Sequence, residues 1–161
     1  MEPGPEGSWD GGCLFASFGL TEIPGERVAL PYTGYRFPHK FPRYVRVGEI
    51  GLAVWRKERL VALTAPEEGE FYTRPMVLRG STLHVNFQAR RAGGIQVEVL
   101  QRGKTIKGRG WQDCDVLWGD SLQAAVTWKG QSDLGVPAGQ AVQFRFRLRA
   151  AKLFSFDVKA V

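Results

Sequence analysis

The chain has 161 residues, of which 43% are hydrophobic and 24% charged, enough for one folded domain with a real core. The apolar runs are only a few residues long, which excludes a bilayer-spanning helix. The formal charge of +6, from 22 basic and 16 acidic side chains, admits polyanionic partners in principle.

Residues 1–12 are rich in Gly, Pro and acid and read as a loose N-terminal segment in which Trp9 can dock. Met1 followed by Glu-Pro-Gly-Pro-Glu-Gly reads as the start of a piece of a longer protein. No charged-then-apolar leader is present, so no cellular location is assigned. Cys13–Phe18 reads as a strand ended by Gly19. Arg27–Leu30 reads as a short strand running into an irregular segment, Pro31 to Pro42. Tyr44–Val47 and Gly51–Trp55 follow as strands. Leu60–Ala65 is a strand and Pro66–Glu70 an acidic turn. Phe71–Thr73 and Met76–Leu78 flank Pro75, which suits a sheet edge.

Thr82–Ala89 alternates cleanly: Leu83, Val85, Phe87 and Ala89 point to a core, and His84, Asn86 and Gln88 to water. Gly93-Gly94 reads as a turn, with Ile95–Leu100 alternating again, so the two runs are expected to form a hairpin. Asp115–Trp118 and Leu122–Trp128 add strands. Val142, Phe144, Phe146 and Leu148 alternate strictly with Gln143, Arg145, Arg147 and Arg149, the mark of a half-buried antiparallel strand. Leu153–Val158 closes the set. About a dozen short strands at this spacing, with no helical period, predict an all-β fold: a two-sheet antiparallel β-sandwich, jelly-roll-like. No linker divides 13–161, which is read as a single domain.

The densest functional candidate is Leu30–Tyr44. Tyr32, Tyr35, Phe37 and His39 are interleaved there with Arg36, Lys40 and Arg43. Aromatic faces with nearby donors on a stiff, Pro-rich segment suit a sugar ring, which stacks through its C–H face and hydrogen-bonds through its hydroxyls. The same residues also suit a loop that packs its own rings against a sheet edge or a neighbouring domain. Asp113, Asp115 and Asp120 are closely spaced, and alternate oxygens near a glycine can hold a structural calcium ion; such clusters also simply form turns. No other cofactor is expected. Trp118 and Trp128 fit core packing better than a binding platform.

Cys13 and Cys114 allow one disulfide or two free thiols, and neither they nor His39 and His84 form a zinc pattern. Glu67, Glu68 and Glu70 read as a solvated turn rather than an acid–base pair. There is no Gly-x-Ser-x-Gly elbow, P-loop or GxGxxG, so no catalytic residue is assigned. The basic residues are scattered, and Arg145, Arg147 and Arg149 read as the solvated side of a strand. Nucleic acid is therefore a minor alternative.

Several segments together resemble a known family. They are Leu30-Pro31-Tyr32-Thr33-Gly34-Tyr35, Pro38-His39-Lys40, Gly69-Glu70-Phe71, Thr73-Arg74-Pro75, Asp113-Cys114-Asp115, Gly119-Asp120, Val126-Thr127-Trp128-Lys129-Gly130, Asp133-Leu134 and Phe146-Arg147-Leu148-Arg149. They resemble the C-terminal β-sandwich of large bacterial proteins related to the family 32 glycoside hydrolases. The resemblance implies an upstream five-bladed propeller that carries the catalytic carboxylates. It also implies a sandwich that either supports that propeller or acts as a carbohydrate-binding module. It assigns no sugar-binding residues. The leading expectation is a non-catalytic carbohydrate-binding module with a glycan ligand and an upstream catalytic domain as partners. The alternatives are a packing domain without a ligand of its own and a basic polyanion-binding module.

Overall fold

The computed structural model of the chain describes residues 1–40, 48–137 and 139–160. The predicted strand Tyr44–Val47 and the candidate Arg43 lie outside them. Contacts group into two compact units, Met1–Lys57 and Glu58–Val161. Among the described residues there is no helix, and the strands form two antiparallel sheets, neither closed into a barrel. The fold is all-β, as the alternation predicts, with one antiparallel sheet in each unit.

The first unit holds β1 (Cys13–Ala16), β2 (Thr21–Ile23), β3 (Arg27–Tyr35) and β4 (Gly48–Arg56). β1 and β2 pair end to end along one edge of β3, and β4 pairs along the other, from Arg27↔Arg56 to Tyr35↔Gly48. The segment expected to be irregular from Pro31 onward is therefore strand as far as Tyr35. A proline inside a central strand needs its nitrogen to face a gap. The Pro31 carbonyl accepts from Ser17 N at 2.9 Å. The Pro31 nitrogen lies on the same side and faces the break between β1 and β2. Trp9 docks on this sheet, stacked on Tyr32 at 5.6 Å between centroids. Its ring occupies space that glycine leaves: a Cβ on Gly34 would sit 2.6 Å from Trp9 Cζ3, and one on Gly51 2.7 Å from Trp9 Cη2.

The second unit holds β5 (Leu63–Tyr72), β6 (Met76–Val77), β7 (Thr82–Gln101), β8 (Lys104–Thr105), β9 (Gly119–Ala125) and β10 (Ala141–Lys159). β10 is central, with β7 along one side and β5 and β6 along the other; β8 and β9 pair with opposite ends of β7. The expected Gly93-Gly94 hairpin does not form. β7 runs straight through, and both its halves pair with β10.

The glycines serve a bulge instead. The register jumps from Gly94↔Arg149 to Ala89↔Ala151, so Arg90–Gly93 stand opposite Ala150 alone. A Cβ on Gly93 would lie 2.1 Å from Arg149 O, and the Arg149 guanidinium ties the bulge by donating to Ala92 O. β5 slips at the same level, placing Pro66 and Glu67 opposite Ala150. The acidic segment Pro66–Glu70 is thus bulged strand rather than turn. Ala150 itself takes a φ of 42°. One extra residue inverts side-chain parity. The inward residues of β10 accordingly switch from Val142, Phe144, Phe146 and Leu148 to Ala151 and Leu153, all buried.

The core comprises these residues with Leu83, Val85, Phe87, Ile95, Val97 and Val99 of β7. Phe71 stacks on Phe146, its cross-strand partner, at 4.9 Å. Asn86, expected to face water, is buried and accepts from Arg59 Nε at 2.8 Å. Between β8 and β9 the edge of β7 would expose backbone groups, a costly condition. The connecting segment closes it. Ile106 N donates to Val99 O, and Val99 N donates to Arg109 O; Ile95 and Leu117 exchange two bonds. Val97 N donates to Cys114 Sγ at 3.3 Å, and Trp128 Nε1 donates to Val97 O at 2.9 Å. Trp128 is buried, as expected; Trp118, expected to pack, is 74% exposed. Both cysteines are free, and burial pushes the Cys114 thiol up to about 11.

Two outcomes follow from this packing. Gly34→Ala should destabilise the protein by ~1–3 kcal/mol through overpacking against Trp9. Gly19→Ala, where nothing lies within 4 Å, should leave the denaturation midpoint unchanged. Alkylation near neutral pH should label Cys13 rapidly and Cys114 only on unfolding, because the thiolate is the reactive form; equal rates in mass spectrometry of the native protein would contradict the buried Cys114.

Candidate functional site

Among the described residues of the 30–44 candidate, Tyr32 and Tyr35 do not share one platform. Tyr32 and Tyr35 are three apart on β3 and so project from opposite faces of its sheet. Tyr32 stacks under Trp9, and its hydroxyl donates to Asp10 Oδ2 at 3.0 Å. Burial, then the Asp10 hydrogen bond, raises its pKa above the usual tyrosine value. Tyr35 meets Phe15 edge to face at 5.8 Å, and His39 meets the same Phe15 ring at 5.4 Å. Phe37 runs its backbone against Gly12. Arg36, His39 and Lys40 are exposed. The structure brings Tyr35 and His39 together around Phe15, and sets Tyr32 apart from them.

The three aspartates are engaged separately by protein donors. Asp115 accepts from Thr127 Oγ1 at 2.6 Å and Gly130 N at 2.9 Å, and these bonds, the Thr127 bond foremost, hold it below the usual carboxylate range. Asp113 pairs with Lys129 and Asp120 with Arg59. Among the described residues, no three His, Cys, Asp or Glu side chains converge as a metal group.

A different cluster is built by the register of the large sheet. The outward-facing residues of β5, β10 and β7 fall into three rows: Tyr72–Arg145–Glu98, Glu70–Arg147–Gln96 and Glu68–Arg149–Gly94. Directly opposed side chains on one face lie close enough to interact, and here the signs alternate. Glu70 accepts from Arg145 Nη2 at 2.6 Å and from Arg147 Nε at 2.9 Å. Glu98 meets Arg145 at 3.5 Å and Glu68 meets Arg147 at 3.7 Å.

Trp111 leans over these rows. Its backbone N donates to Glu98 Oε1, and Gln96 Nε2 donates to its carbonyl at 3.1 Å. The guanidinium carbons of Arg145 and Arg147 lie 3.9 and 3.5 Å from its ring centroid, close cation–π geometry. Two donors in the cluster, Trp111 Nε1 and Arg145 Nε, are buried and lack an acceptor among the described residues.

Two adjoining hollows open on this face and share Gln96 and Arg147. One, of about 550 Å³, is lined by Trp111, Thr105 and Gln112; the other, of about 220 Å³, by Arg149 and Val116. Val116, which lines the second hollow, is 52% exposed; Tyr72, which lines neither, lies beside Arg145 and is 51% exposed. Burial by itself raises the Glu70 carboxyl, but the hydrogen bonds and charges of Arg147 and Arg145 outweigh it and hold the group below the usual carboxylate range. The face thus presents donors and acceptors side by side, flanked by aromatic surface.

Sequence reasoning missed this cluster. Arg145, Arg147 and Arg149 read as a solvated strand side and Glu68 and Glu70 as a turn, and Trp111 carried no assigned role. The usable signal was opposite charge at alternating positions of two strands, Glu68 and Glu70 on β5 and Arg145, Arg147 and Arg149 on β10, and it becomes a site only once the strand order is known.

No family model matches this chain, and no curated protein or solved structure matches it. None of these comparisons links the chain to the family 32-related proteins that its motifs led one to expect.

The lowered Glu70 sets a pH dependence. A carboxylate whose pKa is lower folded than unfolded adds stability above its unfolded value, and this is lost as pH falls through the folded one. Wild type should therefore exceed Glu70→Gln in urea midpoint at neutral pH, with the gap closing below pH ~4. A gap independent of pH would mean that Glu70 acts through packing rather than charge.

Proposed function

We propose that the chain is a non-catalytic carbohydrate-binding module that receives its glycan on the outward face of β5, β10 and β7, as an accessory to a glycoside-hydrolase-like parent. The observation that carries this reading is the Trp111–Arg145–Arg147–Glu70 cluster. Its donors and acceptors alternate, as hydroxyl recognition requires, and Tyr72 flanks it with an exposed ring. The two orphan donors add weight. A network kept only for stability would satisfy its buried polar atoms, and departures from that rule concentrate at functional sites.

The same electrostatics make Glu70 unsuited to the general-acid role of glycoside hydrolysis. That chemistry needs one carboxyl with a raised pKa as general acid, and the shift at Glu70 is downward. Catalysis in this reading belongs to another domain.

A second reading, a packing domain for an upstream propeller, has an observation of its own. Ile50, Leu52 and Val54 alternate along one face of β4 and are 82%, 56% and 44% exposed. Phe15 joins them through the Phe15–Thr33–Ile50 row. An apolar row of this kind suits a protein contact.

Affinity gel electrophoresis against a panel of soluble polysaccharides separates the two. The glycan reading expects retardation by at least one polysaccharide, reduced by Tyr72→Ala and unchanged by Tyr35→Ala or Phe37→Ala. Loss with the Tyr35 or Phe37 variants alone would return the site to the 30–44 segment. No retardation by any polysaccharide would leave the packing reading.

A further inference from the structure

Resting on the glycan reading, we infer that the ligand is an uncharged oligosaccharide lying along β10, rather than an acidic glycan or a single sugar. The chain's charge of +6 points the other way, toward acidic ligands, but that excess is not on this face. The three rows hold three arginines and three glutamates, a balance of zero. Each arginine is already committed: Arg145 to Glu70 and Glu98, Arg147 to Glu70 and Glu68, and Arg149 to the carbonyl of Ala92.

An anionic ligand would have to displace a carboxylate from Arg145 or Arg147 and then sit beside it. Like charges side by side oppose that exchange. A neutral hydroxyl has no such conflict. It accepts from a guanidinium N–H that the carboxylate leaves over and donates to the carboxylate itself.

Length follows from the register. The outer two rows are four residues apart along β10, a span of about 13 Å at strand rise. The two hollows adjoin along this line through Gln96 and Arg147. That is the reach of a short oligosaccharide, with Val116 lining the hollow at one limit and Tyr72 beside the Arg145 row at the other limit of the face. Arg147 and Gln96 occupy the middle and serve whichever sugar unit lies at the centre.

The test is isothermal titration of the full chain with neutral glucose, xylose and mannose oligomers from one to six units, and with galacturonate oligomers of the same lengths, at low and high salt. The expected result is binding of at least one neutral series. Its affinity should climb over the first few units, level off, and be indifferent to salt. Gln96→Ala should weaken it roughly tenfold, as loss of a hydrogen bond to a ligand does, while the protein stays folded with a thermal midpoint lowered by only a few degrees through the lost bond to the Trp111 carbonyl. Tighter binding of galacturonate oligomers that fades with salt would overturn the inference and leave the glycan reading standing. So would a monosaccharide bound as tightly as its oligomers. Failure of every oligomer, together with no retardation in the polysaccharide gels, would remove both.

Discussion

The placement of β10 between β7 and β5 is the constraint on which the second unit depends. One strand supplies Val142, Phe144, Phe146 and Leu148 to the core and Arg145, Arg147 and Arg149 to the opposite face. Its two neighbours then fix what each arginine meets. The apolar residues drive the pairing, since burying each large side chain is worth about 1.5–3 kcal/mol, whereas exposed ion pairs contribute well under that. The charged rows are therefore a consequence of the core's register. Their regularity is inherited from burial.

The bulge at Ala150 limits how far that pattern runs. Three strands break register at one level, and the inward parity of β10 inverts there. Beyond it, Lys152 faces outward between Thr64 and Gln88, and the arginine–glutamate ladder stops. The Arg149 guanidinium closes the bulge and so ends the ladder as a structural element. The candidate face is bounded by this break on one side and by the Trp111 segment on the other. That segment also seals the edge of β7 through Cys114 and Trp128, so edge protection and the shaping of the hollow come from one stretch of chain.

Alternation made the core of this protein legible. Leu83, Val85, Phe87 and Ala89, and the even-numbered residues of 142–148, are buried where the period of two places them. Punctuation was less legible. Gly93-Gly94 and Pro66 carry turn chemistry, yet both sit in bulges, because glycine and proline mark any departure from a regular ladder and do not say whether the chain reverses. Pro31 is the same case: the break between β1 and β2 that accommodates it is a tertiary fact. The candidate site was the least legible feature. Glu70, Arg147 and Gln96 are far apart in sequence and become neighbours only through strand order, while the aromatic richness of 30–44 is local and drew attention to residues that β3 divides between two faces.

The most direct test of this account is the set of cross-strand backbone NOEs of β10 in solution. The register predicts that Arg147 contacts both Glu70 and Gln96, and Arg145 both Tyr72 and Glu98. A slip of one residue, with Phe146 or Leu148 taking those places, would turn the arginines toward the core side; such NOEs would dissolve both the charged rows and the site built on them.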